Sequence, residues 1–337
     1  MEALLAEFRR RADSLDLRLE TIFFGGGTPT LLSPIHLETL LGGMAEITDL
    51  SDVSEWTLEA NPATFDLRKA TLLRDLGTTR ISLGVQSWQP STLTTLGRDH
   101  SPADAEAAYE ILREAGFSDV GIDLMFSVPG QTLEDWWADL AKVVSLQPEH
   151  ISAYNLTYEE DTEFLKRHEA GELDTDEDRD SSLFELGIDH LEAEGYRHYE
   201  ISNYARAGHE SQHNQAYWSG ADYLGIGPGA VSTVNGHRWK SLPDTAAWVS
   251  RVHSGDTIDV ESEVIGPVER RIEGIALQLR TAIGLSESIV LDSPEPDLPD
   301  RVESLIEEGY LERTANECLR LTRAGKALAD PIAAQLL

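Results

Sequence analysis

Between residues 20 and 156, five short apolar runs suited to strands alternate with helical patterns. The strand-like runs fall at 20–24, 54–60, 79–84, 119–126 and 149–156. Helical patterns precede and separate them at 1–14, 34–47, 66–76, 103–115 and 133–146. Ser33 and Pro34 mark one helix start, and Gly77 and Gly116 mark two helix ends. Such an alternation admits few folds, because parallel strands joined by helices must cross over right-handedly. An open doubly wound sheet and a barrel both satisfy it. Polar and glycine-rich residues follow the strands repeatedly: Gly25–Thr28, Glu59–Pro62, Gln86–Ser87, Pro129–Thr132 and Asn155. An open sheet gathers its ligand residues at one switch point, whereas a barrel gathers them at one mouth. The pattern predicts an α/β fold containing a barrel or part of one.

The texture changes after residue 157. Residues 158–180 are acid-rich and read as a solvated connector with a short helix, followed by a long helix over 176–194. Residues 196–230 are dense in Tyr, His, Asn and Gly. From about 264 the order is helix, helix, two short strands over 310–321, then a helical end, as in a small winged-helix-like domain. The expected domains are 1–157, 158–262 and 263–337. No basic recognition helix is visible in the last of them.

The net charge is −33, from 60 Asp and Glu against 27 Lys and Arg. The acids are dispersed, and only five lysines occur: Lys69, Lys142, Lys166, Lys240 and Lys326. A dispersed acidic, lysine-poor surface suits a salt-rich cytoplasm, where screening relieves self-repulsion. It argues against a nucleic-acid partner, which needs cations on phosphates. No apolar run reaches the length of a membrane span, and residues 1–15 lack signal-peptide character, so a cytoplasmic location is expected. Cys318 is the sole cysteine. It rules out an intrachain disulfide and a multi-cysteine metal site built from this chain.

The strand ends carry the chemistry. In "FFGGGTPTLLS" (23–33) three glycines end a strand and offer bare N–H and C=O groups to a ligand. The spacing is neither that of a P-loop nor that of a dinucleotide loop, and a tight turn accounts for it equally well. "LEANP" places Glu59 at the next strand end, and "SLGVQS" places Gln86 at the third. "LGRDH" puts Arg98 in a loop, where it can meet a carboxylate. "IDLMFSVPGQT" sets Asp123 in an apolar strand, where a buried acid needs a partner.

Taken in order, GGGTPT, EANP, SLGVQS, LGRDH, DLM with PGQT, and AYNLT resemble the radical S-adenosylmethionine proteins of the coproporphyrinogen dehydrogenase group. The likeness runs on through YEISNYA, HNQAYW and YLGIGPGA to the tail, and HNQAYW is most similar to the haem-chaperone branch. The resemblance implies a partial (β/α) barrel of the radical S-adenosylmethionine type. It implies that Gly26, Gly27 and Thr28 receive the methionyl amino end of S-adenosylmethionine, with Glu59, Gln86, Arg98 and Asp123 on the rest of the cofactor. It implies binding of haem or a porphyrin and delivery of haem to apo-proteins. The alternatives are radical oxidative decarboxylation of propionates, as in oxygen-independent coproporphyrinogen III oxidase, and a cluster-free binding paralogue.

Two departures follow. The family's CxxxCxxC loop, whose thiolates hold a 4Fe–4S cluster, is absent, as is the first barrel strand. The chain is therefore expected to be N-terminally shortened, with a natural paralogue that has lost the cluster as the other reading. Val231 stands where the family often has His after the GxGA element, which leaves His213 as the candidate axial ligand for haem, with Tyr217 and Trp218 able to pack on a porphyrin face. Hydrogen bonding of His213 and Asn214 to hold a loop remains open beside it.

Overall fold

The apolar and polar residues of the strand-like runs segregate onto opposite faces of a parallel sheet. The computed structural model describes every residue except 159–162, 172–175 and 292. In chain order it begins α1 (Glu2–Ser14), β1 (Thr21–Phe24), α2 (Pro34–Ile47), β2 (Glu55–Ala60), α3 (Leu67–Asp75) and β3 (Arg80–Gln86). There follow α4 (Pro90–Thr95), α5 (Pro102–Glu114), β4 (Val120–Phe126), α6 (Leu133–Leu146) and β5 (His150–Asn155). All ten expected elements are present, displaced by at most about two residues at their ends. Helix α4 is additional, and its Pro90 start hides it inside the loop after β3.

After α7 (Glu163–Glu169) and α8 (Glu177–Ala193), β6 (Arg197–Glu200) and β7 (Asn203–Ala205) complete a curled seven-stranded half-barrel sheet, ordered β1-β2-β3-β4-β5-β7-β6. Helix α7 is the short helix of the expected connector, whose residues 159–162 and 172–175 lie outside the described ones. Strands β2 to β5 run parallel, while β7 is antiparallel to β5 and β6 to β7. The alternation of strand and helix does not reveal that closing hairpin, because "YRHYEISNYA" has no helix between its strands.

Residues 23–31 and 56–210 form one unit. Its outer sheet face is apolar: Leu58, Ile81, Leu83, Ile122, Leu124 and Ile151 are fully buried. Each contributes about 1.5–3 kcal/mol of burial. Capping boxes start two of the helices, Ser101 with Asp104 at α5 and Thr132 with Asp135 at α6. The opposite face is polar and presents Glu59, Ser82, Asp123, Ser152 and Tyr154 in turn along β2 to β5.

Residues 1–22, 32–55 and 211–337 form the other unit. It holds α9 (Gln212–Trp218), β8 (Val231–Val234), β9 (His237–Ser241), α10 (Thr245–Ser254) and β10 (Asp259–Val264), with a sheet ordered β10-β9-β8. Ala3 of α1 packs with Trp248, Val252 and Ile258. Glu7 of α1 is buried and accepts the Gly227 N–H at 2.9 Å, which ties the GIGPGA segment to that helix. The tail runs α11 (Pro267–Gln278), β11 (Leu285–Ser286), α12 (Glu287–Leu291), α13 (Leu298–Glu307), β12 (Leu311–Arg313), β13 (Cys318–Leu321), α14 (Arg323–Lys326) and α15 (Ala329–Leu336). Its sheet is ordered β11-β13-β12, a winged-helix-like arrangement. No described helix is long and apolar enough to cross a membrane.

Candidate functional site at the strand ends

The triple glycine closes β1. Gly26 and Gly27 lie at φ +80° and +65°, where side chains are disfavoured. Gly25 is required for space: a Cβ there would sit 3.1 Å from Glu59 Oε1 and 2.6 Å from Phe23 Cε1. Glu59, at the end of β2, accepts the Gly26 N–H on Oε2 at 3.2 Å. The loop is braced behind by side chains. Asn61 Nδ2 donates to Thr28 Oγ1 at 2.8 Å, and Lys69 Nζ donates to the carbonyls of Thr30 and Thr64 at 2.8 and 3.0 Å.

At the end of β3 the ladder to β4 slips between Gly84 and Gln86. Gln86 adopts φ +67°, a rare state for a residue with a side chain. A Cβ on Gly84 would lie 2.7 Å from Asn61 Oδ1 and 3.0 Å from Gln86 Nε2, so this glycine makes room for both amides. Ala63 and Ser127, after β2 and β4, also have positive φ. Such backbone states cluster where a structure serves a function.

Asp123 of β4 supplies the second carboxylate. Ser82 Oγ donates to its two oxygens at 2.9 and 2.8 Å, and Ser152 adds a further hydrogen bond. Burial raises the Asp123 carboxyl above its ordinary value despite these donors and the nearby Arg80 and Arg98 charges. Glu59 is likewise raised by burial, with the Asp123 charge adding to the effect and the Gly26 N–H opposing it. The two acids thus face each other across a poorly solvated space, which favours a cationic guest.

Arg98 faces Asp123 from the loop before α5. Burial lowers its guanidinium, and Asp123 opposes that. Among the described residues the guanidinium makes no hydrogen bond or ion pair. His100 Nε2 pairs with the Val85 carbonyl at 3.0 Å and fastens this loop to the end of β3. Gly26, Gly27, Thr28, Glu59, Gln86, Arg98 and Asp123 therefore converge on the strand ends of one unit.

Three partners escaped the sequence reading: Asn61, Ser82 and Tyr154. Asn61 lies inside the EANP motif but donates only once Thr28 folds against it. Tyr154 of β5 pairs in register with Met125, and burial raises its phenol, with Asp123, Glu200 and Glu59 among its neighbours. Its signal was the two-residue strand period, which puts Tyr154 on the same face as Ser152 and, across the ladder, Asp123.

His213 lies in the other unit. Its Nδ1 pairs with Thr21 Oγ1 at 2.9 Å, and its backbone N–H donates to Glu55 Oε1 at 2.9 Å. Glu55 also accepts from Gln212 N and Ser211 Oγ, so a carboxylate caps the first turn of α9. Burial lowers the His213 imidazole, with Glu55 opposing, which favours the neutral ring. Tyr217 is exposed and meets Trp218 edge-on, and Arg280 lies over the Trp218 ring, 5.7 Å from its centroid. Cys318 is half-buried in the tail, and no described group of three His, Cys, Asp or Glu side chains could hold a metal ion.

Residues 2–143 match the radical SAM superfamily. The chain is 33% identical over 325 residues to the haem chaperone HemW of Bacillus subtilis, covering 93% of this chain and 84% of that one. It is 35% identical over 340 residues to HemW of Mycobacterium tuberculosis H37Rv, covering 99% and 85%. Among solved structures it resembles coproporphyrinogen III oxidase (HemN) from Escherichia coli, a radical SAM enzyme, with a TM-score of 0.84 over 99% of this chain and 82% of that one. At 21% identity that likeness shows the fold.

Proposed function

The chain belongs to the HemW family of radical S-adenosylmethionine proteins, and from that premise we propose that it binds S-adenosylmethionine at the strand ends and serves as a haem chaperone. The observation that carries the first part is the meeting of Glu59, Asp123 and Arg98 beside the glycine loop. S-adenosylmethionine offers an ammonium and a sulfonium for the two acids, a carboxylate for Arg98 and ribose hydroxyls for acid and amide groups. Gly26, Gly27 and Thr28 with Glu59 take the methionyl amino end, and Gln86 and Asp123 take the remainder. When bound, the sulfonium supplies an activated carbon–sulfur bond. What the chain itself does is orient it and shield it from water.

The family's cofactors are S-adenosylmethionine and a 4Fe–4S cluster. The residues present suit the first and not the second. Three thiolates are needed, and this sequence has Cys318 alone. No step is assigned through a cluster.

For haem, the HemW relatives supply the reading and His213 is the candidate ligand. A neutral imidazole held by Thr21 and by the capped turn of α9 suits an iron ligand. The partners are then haem and the apo-proteins that receive it. Haem titration followed by absorbance tests this. His213→Ala abolishes the stoichiometric complex if His213 is the ligand, and an unchanged spectrum and affinity reject it. Conversion of coproporphyrinogen to a divinyl product would instead favour the oxidase reading.

A further inference from the structure

Asp139 has no part in the site described above, yet it is fully buried on α6 and accepts three hydrogen bonds from three consecutive residues beyond β3. Ser87 Oγ donates to Oδ2 at 2.5 Å, Trp88 N to Oδ1 at 2.8 Å and Gln89 Nε2 to Oδ1 at 3.3 Å. Gln89 N donates in turn to Ser87 Oγ at 2.9 Å. A buried carboxylate is a costly way to fill space, since an apolar residue of similar size packs as well or better. What the carboxylate offers instead is directed acceptors at fixed positions.

Those acceptors grip the segment that immediately follows Gln86. Gln86 is held at φ +67° after a slip in the ladder, so the strand alone does not fix it. Its upstream neighbour Val85 is pinned through its carbonyl to His100 and, through a tight turn, to Ser87 N at 2.8 Å. Its downstream neighbours are pinned to Asp139. The side chain between them lies over Gly84 beside Asn61, and Asn61 reaches Thr28 of the glycine loop.

We propose that Asp139 is a positioning residue for S-adenosylmethionine binding, which it serves by clamping residues 87–89 so that Gln86 is held in its left-handed conformation facing the ligand. The proposal rests on the reading of the strand ends as the S-adenosylmethionine site. It assigns no contact between Asp139 and the ligand. An asparagine at 139 can still accept from Trp88 N and donate to Ser87 Oγ, so it preserves most of the clamp. Leucine preserves none of it.

The test is calorimetric titration of the full chain with S-adenosylmethionine, using wild type, Asp139→Asn, Asp139→Leu, Gln86→Ala, Ser87→Ala and the Asp139→Leu/Gln86→Ala pair. Asp139→Leu is expected to weaken binding about tenfold, Asp139→Asn and Ser87→Ala no more than about threefold, and the double variant no further than Gln86→Ala alone. Additive losses in the double variant, or equal losses for Asn and Leu, overturn the proposal. If Asp139→Leu does not fold, Ser87→Ala combined with Gln86→Ala decides the same non-additivity. If wild type binds no S-adenosylmethionine, the site reading fails separately. Amide exchange then decides the clamp: protection at Ser87 and Trp88 lost in Asp139→Leu upholds it, and protection retained overturns it.

Discussion

The three consecutive glycines make two distinguishable demands, and alanine at Gly25 should fail differently from alanine at Gly26 or Gly27. Gly26 and Gly27 have positive φ and open space around the missing Cβ. Alanine there keeps the local packing and meets only the left-handed penalty of about 1–2 kcal/mol. Gly25 has no positive φ, but its Cβ would lie 3.1 Å from Glu59 Oε1 and 2.6 Å from Phe23 Cε1. Both neighbours are ends of side chains that must give, and the one that matters for the ligand is the Glu59 carboxylate. Displacing one of two acids around a cationic ligand by a few tenths of an ångström should weaken binding about tenfold, equivalent to about 1.4 kcal/mol. Urea unfolding at constant slope reads stability, and calorimetric titration with S-adenosylmethionine reads affinity. The expected result is Gly27→Ala losing about 1 kcal/mol of stability, with any loss of affinity added by a methyl group on the ligand's side of the loop, and Gly25→Ala keeping its stability while losing affinity. The reasoning is refuted if Gly25→Ala binds as wild type, or if Gly27→Ala keeps the full stability of the wild type.

Other outcomes follow from the same geometry. Burial raises the Asp139 carboxyl from its ordinary 3.8 to about 6. The protonated form is therefore favoured in the fold, and the contribution is complete below about pH 4 and lost as pH rises through about 6. Asp139→Asn should flatten that loss and raise stability at pH 7 by up to about 3 kcal/mol, measured as urea midpoints across pH. Glu59 and Asp123 are raised in the free protein. A cationic ligand lowers both, so S-adenosylmethionine binding should weaken on acidification and release protons, seen as buffer-dependent heats in calorimetry. Asn61→Ala removes the 2.8 Å hydrogen bond to Thr28 and should cost about 1 kcal/mol of stability with a several-fold loss of affinity. Cys318→Ser should leave both properties unchanged, because the thiol lies in the tail sheet and donates to the Asn316 carbonyl.

Much of this was legible in the sequence. The period of strand and helix marked β1 to β5, because each strand carries one buried apolar face and each helix has a start or stop residue. The strand-end residues were legible as types in order: a carboxylate, an amide, a guanidinium and a second carboxylate. Their supports were not. Ser82 meets Asp123 only through the β3–β4 register, Asn61 meets Thr28 across the β1 and β2 ends, and Asp139 reads as one more acid on an acid-rich helix. The β6–β7 hairpin was hidden because its strands are four and three residues long. Ser33 is the N-cap of α2, as its place before Pro34 indicated, but its side chain pairs with His36 Nδ1 at 3.0 Å and not with a backbone amide.

The measurement that bears most directly on the account is equilibrium binding of S-adenosylmethionine to the purified chain, with iron and sulfide left out, beside Glu59→Gln and Asp123→Asn. The account predicts a one-to-one complex in the wild type, weakened about tenfold or more by either substitution. A chain that binds nothing under these conditions, or binds equally well with both acids neutralised, would contradict it.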